Sequence, residues 1–322
     1  MKLLIWVLEL FPALEVLIRV LYWRIKLVNQ FINYVMSKSG KKSSSTIESK
    51  PVTMKFDELV NVLQSLEVIK GDTLIVHSSF AALKPFGLTP DEFIDSLLEY
   101  LGPTGNLILP AIPILRNQPS LLNRFNLNNY NKTPVYNVQK SRCWTGSLAQ
   151  CLLKREGAKR SRSPLNSMVV YGNNVNDIVR NDLFNLDSLP CDAESVLGMS
   201  LNFNSKILFL GVDEVHNMTM IHAAEDLDVT NWPIKNWYWK RPFHIIDEGY
   251  DEIVTLRERN PMWALFYAEK RFSRDLLLSG IFKRQQLNNL SVSVCVSNEL
   301  LSYLNSRNNT GYPYWIPRWF KG

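Results

Sequence analysis

Three ionisable side chains lie close together in one stretch of the sequence, where His222, Glu225 and Asp226 stand three and four residues apart. At helical spacing they share one face with Thr219. An imidazole beside a carboxylate suits general-base chemistry, because a histidine ordinarily titrates at about pH 6.5. The same spacing also fits a half-buried histidine whose charge is balanced by Glu225. From spacing alone, both interpretations stay open.

The elements around this cluster are those that would place it at the edge of a sheet. Residues 206–212 (KILFLGV) form a short apolar run that predicts a buried strand. Residues 213–217 are polar and loop-like, and residues 218–227 return to a helical rhythm. The pattern therefore predicts a strand that ends in a loop, followed by a helix that carries His222.

A second buried strand, predicted at residues 73–77, runs directly into Ser78, Ser79 and Phe80. Small hydroxyl residues at the carboxyl end of an interior strand lie where open α/β sheets bind ligands. Such hydroxyl groups could hold phosphates or a pantetheine chain. They could equally end the strand or cap the next helix.

Alternation of strands and helices indicates the fold class. A helix predicted at 90–101 lies between the strands at 73–77 and 106–110, which is typical of a parallel βαβ unit. We expect a layered α/β/α domain with a central mixed, largely parallel sheet. Residues 111–142 are long, rich in Asn and Pro and weakly periodic, as lids and binding loops often are.

Composition excludes several classes of protein. The chain has 322 residues, of which 46% are hydrophobic and 20% charged, as in globular proteins. Its net charge of +6 is concentrated at the start, since residues 1–50 hold eight Lys/Arg against three Glu. The remainder holds 28 Lys/Arg against 27 Asp/Glu, so nothing indicates a nucleic-acid partner. The four cysteines show no paired spacing, which favours a reducing compartment, the cytoplasm, and neither disulfides nor a metal site.

The N-terminal segment divides from the rest of the chain. Residues 1–36 predict an apolar, amphipathic helix interrupted by charges and by Pro12, too broken for a typical membrane span. It could lie on a membrane, at the inner face of the cell membrane, or pack on a partner, on its own body or on a second copy in a homodimer. Residues 37–52 are Ser/Lys-rich and predict a flexible linker, so the compact domain should cover 53–322.

Several motifs in order resemble one enzyme family. Residues 71–80 (GDTLIVHSSF) resemble the "GD…VHSSL" opening of the aminoglycoside 3-N-acetyltransferase family, and 101–110 (LGPTGNLILP) its "lGpeGTLvmP" segment. Residues 219–225 (TMIHAAE) are similar to its "TxxHxAE" signature. Further matches fall in the family's order at Thr145-Gly146, at 160–167 and at 207–212.

This resemblance implies an acetyl-CoA-dependent N-acetyltransferase that acylates a sugar amine, with His222 as general base and no metal. It implies that a carboxylate orients the imidazole, with Glu225 as first choice and Asp213 and Asp226 behind it. The residues implied to line the coenzyme A side are His77, Ser78, Ser79, Phe80, Thr145, Gly146, Arg160 and Ser161.

The sequence departs from the family pattern at two places. Ser163 stands where the family usually has histidine, and residues 191–195 (CDAES) stand where a run with two glycines and a proline is expected. These departures concern the acceptor pocket more than the acyl donor site. A sugar from surface-polysaccharide synthesis would suit the N-terminal segment as well as an aminoglycoside would. An O-acyltransferase of such a polysaccharide, or a non-catalytic assembly protein on the same fold at a membrane surface, remain open.

Overall fold

A seven-stranded sheet forms the centre of the computed structural model, which describes residues 2–25, 29–30, 53–119, 125, 127–183 and 185–317. The strands of the protein are β1 (Thr73–Ser78), β2 (Asn106–Pro110), β3 (Val135–Asn137), β4 (Lys159–Arg160), β5 (Met168–Gly172), β6 (Lys206–Leu210), β7 (Tyr238–Asp247), β8 (Tyr250–Arg259), β9 (Lys283–Leu287) and β10 (Leu290–Val296). The central sheet has the order β4-β5-β2-β1-β6-β10-β9.

Parallel pairing is confined to the middle of this sheet. Strand β1 pairs in parallel with β2 and with β6, and all three are buried on both faces, which explains their continuous apolar sequences. The other four pairings are antiparallel. The prediction of a mixed sheet is confirmed, but its "largely parallel" character is wrong. Connection length explains two of these four pairings: β9 and β10, like β4 and β5, are joined by short loops, and such loops link only antiparallel neighbours.

Helices cover both faces of the sheet. In chain order they are α1 (Lys2–Leu10), α2 (Pro12–Arg24), α3 (Phe56–Ser65), α4 (Phe80–Leu83), α5 (Pro90–Leu101), α6 (Ser147–Leu152), α7 (Val175–Ile178), α8 (Val196–Leu201), α9 (Glu214–Asn217), α10 (Ile221–Leu227), α11 (Glu269–Ser279) and α12 (Ser297–Asn305). Alternate residues of β1 separate the two cores: Leu74 and Val76 pack with α3, α5 and α6, whereas Ile75 packs with α8, α10, α11 and α12. The predicted α/β/α layering is therefore confirmed.

A second, three-stranded sheet has the order β3-β7-β8. The β7–β8 hairpin turns at residues 248–249, between Asp247 and Tyr250. Strand β3 comes from the long segment 111–142 and pairs in parallel with β7. Part of that predicted loop therefore completes a sheet.

Residues 2–25 of the N-terminal segment form two helices where one was predicted. Pro12 stands in the first turn of α2 and lacks an N–H, so the chain breaks after α1 and restarts. Both helices contact α11. Among the described residues no helix is long and apolar enough to cross a membrane. The predicted linker at 37–52 lies outside the described residues.

Candidate active site

A cavity of about 560 Å³ opens at the carboxyl ends of β1, β2 and β6. This is the edge at which the sequence predicted ligand-binding residues. The residues that line the cavity are Val76, His77, Ser78, Ser79, Phe80, Leu109, Pro110, Ile112, Trp144, Thr145, Gly146, Leu148, Ala149, Asn166, Val212, His216, Asn217, Met218, Thr219 and His222.

His222 and Glu225 form a pair on α10. The imidazole Nδ1 of His222 lies 3.1 Å from both carboxylate oxygens of Glu225. The histidine side chain is 27% exposed, whereas that of Glu225 is 1% exposed. Since Nδ1 faces the carboxylate, Nε2 is the nitrogen left for a ligand, and no described residue bonds to it. The pair predicted from helical spacing is therefore present at the wall of the cavity.

Glu225 is itself held by two distant residues. Arg259 Nε lies 2.7 Å from its Oε2, and the Tyr314 hydroxyl donates to Oε1 at 3.0 Å. Burial opposes ionisation, but the charges of His222 and Arg259 outweigh it and lower the pKa of Glu225. The carboxylate is therefore ionised beneath the imidazole at neutral pH.

Asp226 belongs to a different network. It accepts hydrogen bonds from Arg259, from the backbone N–H of Cys191 and from the Tyr238 hydroxyl. Burial raises the pKa of this carboxyl, and Arg259 opposes the shift. Asp226 therefore ties α10 to the β8 strand and does not bond to His222.

His77 lines the cavity from the end of β1. Its ring stacks on Phe209 with centroids 4.9 Å apart, and its Nε2 lies 3.4 Å from the Thr219 hydroxyl. Burial lowers the pKa of His77 to about 3, so the ring is neutral at physiological pH. It can therefore position a ligand but is a poor base.

The structure brings together most of the residues implied for the coenzyme A side. Ser78, Ser79, Phe80, Thr145 and Gly146 all line the same cavity as His222. The Thr145 hydroxyl donates to the Pro110 carbonyl, which ties the segment before α6 to the end of β2.

Gly211 lets α4 approach the end of β6. Its φ is +64°, and a Cβ at this position would collide with the Cβ of Ala82 on α4. Only glycine therefore allows this approach of α4, which carries Phe80.

Arg160 and Ser161 do not lie in this cavity. The Arg160 guanidinium is buried and donates to the carbonyls of Val138, Ser141 and Ala111 and to the Ser167 hydroxyl. Ser161 is also buried and exchanges hydrogen bonds with the backbone of Met168. These bonds occupy both side chains, so we correct their assignment: they brace the chain behind the cavity instead of facing coenzyme A.

Asp213 serves a different histidine from the one expected. It caps α9, accepting from the backbone N–H groups of Val215 and His216, and its Oδ1 lies 2.8 Å from Nδ1 of His216. The other ring nitrogen of His216 lies 2.8 Å from Glu269. Hydrogen bonds that the ring donates to both carboxylates raise the pKa of His216 to about 10. The cavity wall thus carries an imidazolium that the sequence reasoning missed.

Comparison with known proteins adds to this geometry. The sequence model of the family described as aminoglycoside 3-N-acetyltransferase matches residues 75–307, well over half of the chain. The chain belongs to this family. A curated relative, the aminoglycoside N(3)-acetyltransferase IV of Salmonella sp, is 28% identical over 168 residues, 52% of this chain. The chain spans 57% of that relative's length.

Solved structures of similar fold include complexes with ligands. A neutron and X-ray structure of sisomicin-bound AAC-VIa covers 80% of this chain and 98% of that chain, with 20% identity and a TM-score of 0.63. A mutant of AAC(3)-IVa in complex with a gentamicin covers 85% and 95%, with 20% identity and a TM-score of 0.64. AAC-IIIb in binary complex with CoASH covers 82% and 100%, with 21% identity and a TM-score of 0.64. At these identities the likeness shows a shared fold, and the predicted family resemblance is confirmed.

Proposed function

We propose that this protein is an acetyl-CoA-dependent N-acetyltransferase that acylates an amine of an aminosugar or aminoglycoside-like acceptor. One observation carries the proposal: His222, paired with the buried Glu225, lies in the wall of the cavity that Ser78, Ser79 and Thr145 also line. Family membership supports it, and so does a related structure that holds CoASH.

The pair would act as a general base. With Nδ1 held by Glu225, Nε2 of His222 accepts the proton that the acceptor amine loses as its nitrogen attacks the thioester carbonyl carbon. The carbon–nitrogen bond forms, the carbon–sulfur bond breaks, and the imidazolium returns the proton to the departing thiolate. The ionised Glu225 stabilises the imidazolium between these two transfers, and Arg259 and Tyr314 keep Glu225 in place.

The departures from the family pattern lie outside the described lining of this cavity. Ser163 and residues 191–195 are not among the described residues that line it, and the Ser163 hydroxyl instead bonds to the backbone of Leu165. We therefore infer that the acceptor belongs to the family's class, a sugar amine. Related proteins bind sisomicin and a gentamicin, and a surface-polysaccharide aminosugar presents the same functional group.

The test is acetyl transfer to a panel of amines. Purified protein with acetyl-CoA should acetylate at least one aminoglycoside or aminosugar, with the product identified by mass spectrometry and free thiol released in equal amount. His222→Ala should lower kcat/KM by about 10²–10⁴-fold, the usual contribution of a general base. His244→Ala is the matched control, since His244 lies on β7, bonds to Asp251 and is absent from the cavity wall.

Two results would replace the proposal. Coenzyme A binding without turnover on any amine or sugar would favour the non-catalytic assembly protein. Acetylated hydroxyl groups with unmodified amines would favour an O-acyltransferase.

A further inference from the structure

The outward side of α2 is apolar. Ile25, which follows the last turn, is 42% exposed, and within the helix Leu14, Leu17, Ile18 and Leu21 recur at positions i, i+3, i+4 and i+7 and are 37, 53, 39 and 36% exposed. At this spacing they form one continuous line along the helix, called here the apolar stripe. Monomeric soluble proteins rarely expose such a contiguous apolar surface unless it binds something.

The inward side of the same helix is charged. Glu15 is 6% exposed and accepts a hydrogen bond from the backbone N–H of Lys270 at 3.0 Å. Arg19 lies 3.2 Å from Glu15 and 2.7 Å from Glu269 on α11. Ion pairs therefore help to fix this helix to the body beside the buried Val16, while the larger apolar side chains of the opposite side face out.

Residues of α1 and of the junction enlarge the apolar surface. Trp6 is 53% exposed, Phe11 is 59% exposed and Ile5 is 37% exposed. Tryptophan prefers the boundary between water and lipid, because its ring is largely apolar and its N–H is polar.

The charge of the N-terminal region indicates which kind of partner covers the apolar stripe. Residues 2–25 carry three Lys/Arg against two Glu, a net charge of +1, and residues 26–50 carry five Lys against one Glu, a net charge of +4. The excess positive charge therefore follows the stripe directly in the sequence. A second copy would bring two basic segments together, whereas an anionic lipid surface would attract them. The 13 residues of α2 rise only about 20 Å, less than the roughly 30 Å of a bilayer core, so the helix suits the surface of a membrane.

We propose that the helical hairpin of residues 2–25 docks this protein on an anionic membrane surface, with the apolar stripe at the boundary between headgroups and acyl chains. The ion pairs of Glu15 and Arg19 hold the stripe outward. This docking is independent of the proposed catalysis, since no residue of the stripe lines the cavity.

The experiment is co-sedimentation of the full-length protein with vesicles. Wild-type protein should bind phosphatidylcholine/phosphatidylglycerol vesicles more tightly than pure phosphatidylcholine vesicles, and binding should weaken at high salt. Ile18→Ser/Leu21→Ser should lower the partition coefficient at least tenfold, and Leu14→Ser/Leu17→Ser should do the same. The control Ile69→Ser/Ile253→Ser alters side chains that are 60 and 66% exposed elsewhere on the body and should bind as wild type does.

Three outcomes would overturn the proposal. The first is wild-type protein that stays in the supernatant with every vesicle composition. The second is stripe variants that bind as tightly as the control while keeping the wild-type circular dichroism spectrum. The third is a wild-type dimer in light scattering that the stripe substitutions convert to a monomer, with no vesicle binding, which would assign the stripe to a second copy. Turnover of a soluble acceptor is measured alongside and should be equal in all variants, which separates a failure of docking from a failure of the proposed catalysis.

Discussion

Replacing Glu225 with glutamine removes the negative charge beneath His222 while keeping the shape of the side chain. Glu225 is 1% exposed, and both its oxygens lie 3.1 Å from Nδ1 of His222. The lowered pKa of Glu225 means that the charge is present in the wild-type protein at neutral pH. The substitution therefore changes the electrostatics of the imidazolium more than its packing.

The expected loss follows from the charge separation. Two unit charges about 4 Å apart interact by about 4 kcal/mol at an effective dielectric constant of 20. The hydrogen bond that Nδ1–H of the imidazolium would donate to the glutamine carbonyl oxygen would return about 1 kcal/mol. The remaining ~3 kcal/mol raises the barrier to forming the imidazolium, which corresponds to a roughly 10²-fold fall in kcat.

The assay is steady-state acetyl transfer to the best acceptor, with acetyl-CoA affinity measured separately by calorimetry. Glu258→Gln is the matched control, because Glu258 pairs with Arg241 at 3.3 Å and is absent from the cavity wall. We expect its kcat to stay within about twofold, since surrounding pairs contribute little to a reaction they do not touch. If folded Glu225→Gln kept kcat within about threefold of wild type, the carboxylate would have no role in the reaction and the reasoning would fail.

Three further predictions concern stability. Arg160→Lys should destabilise the fold by about 3 kcal/mol, because an ammonium cannot serve all the oxygens that the guanidinium reaches, while KM for acetyl-CoA stays unchanged; urea unfolding and kinetics measure the two. His216 has a raised pKa of about 10, so its ion pairs stabilise the fold fully below about pH 6.5 and fade as pH approaches 10. His216→Gln should cost on the order of 1 kcal/mol at pH 6, since the side chain is half exposed, and less at pH 9.5. His77 has a lowered pKa of about 3, so protonation of the unfolded chain should cost wild type up to about 2 kcal/mol between pH 6.5 and 5; His77→Gln should lack that loss in urea titrations.

Each stability prediction has a clear contrary result. A weaker acetyl-CoA affinity without loss of stability in Arg160→Lys would restore this residue to the ligand side. If His216→Gln lost more unfolding free energy at high pH than at low pH, the imidazole would be neutral in the folded protein. Parallel pH curves for wild type and His77→Gln would mean that His77 is not buried in its neutral form.

Local sequence spacing was sufficient for the central pair. His222 and Glu225 stand one helical turn apart, and a short helix after a buried strand holds them as expected. Ser78 and Ser79 likewise follow from their place at the end of an apolar strand. These features depend on the helical and strand periods, which the sequence displays directly.

The residues that hold Glu225 in place could not be predicted in the same way. Tyr314 lies 89 residues after Glu225, and Arg259 lies 33 residues after Asp226. Only the folded chain brings them together, and neither stands in a local pattern that indicates a partner. His216 had a signal that was missed, because Asp213 precedes it by three residues as a helix cap does, but α9 has only four residues and shows no periodicity.

The sequence also could not specify how many strands of the central sheet pair in parallel. Strands β1, β2 and β6 have the continuous apolar sequences of buried parallel strands, whereas β10 begins by alternating Ser with apolar residues, is largely buried and pairs in antiparallel fashion on both sides. Apolar periodicity reports burial, and the direction of a neighbour depends on the connection between the strands. Arg160 shows a second limit of the sequence. An arginine in a motif gives no indication of whether its charge faces a ligand or buried carbonyl groups.

The most direct test of the central claim is a crystal structure of the protein with coenzyme A and an amine acceptor. We predict that the pantetheine chain enters along Ser78, Ser79 and Thr145, and that the acceptor nitrogen lies within hydrogen-bond reach, about 3 Å, of Nε2 of His222. A thiol that ends elsewhere on the molecule, with His222 closed off from both ligands by packed side chains, would contradict the account.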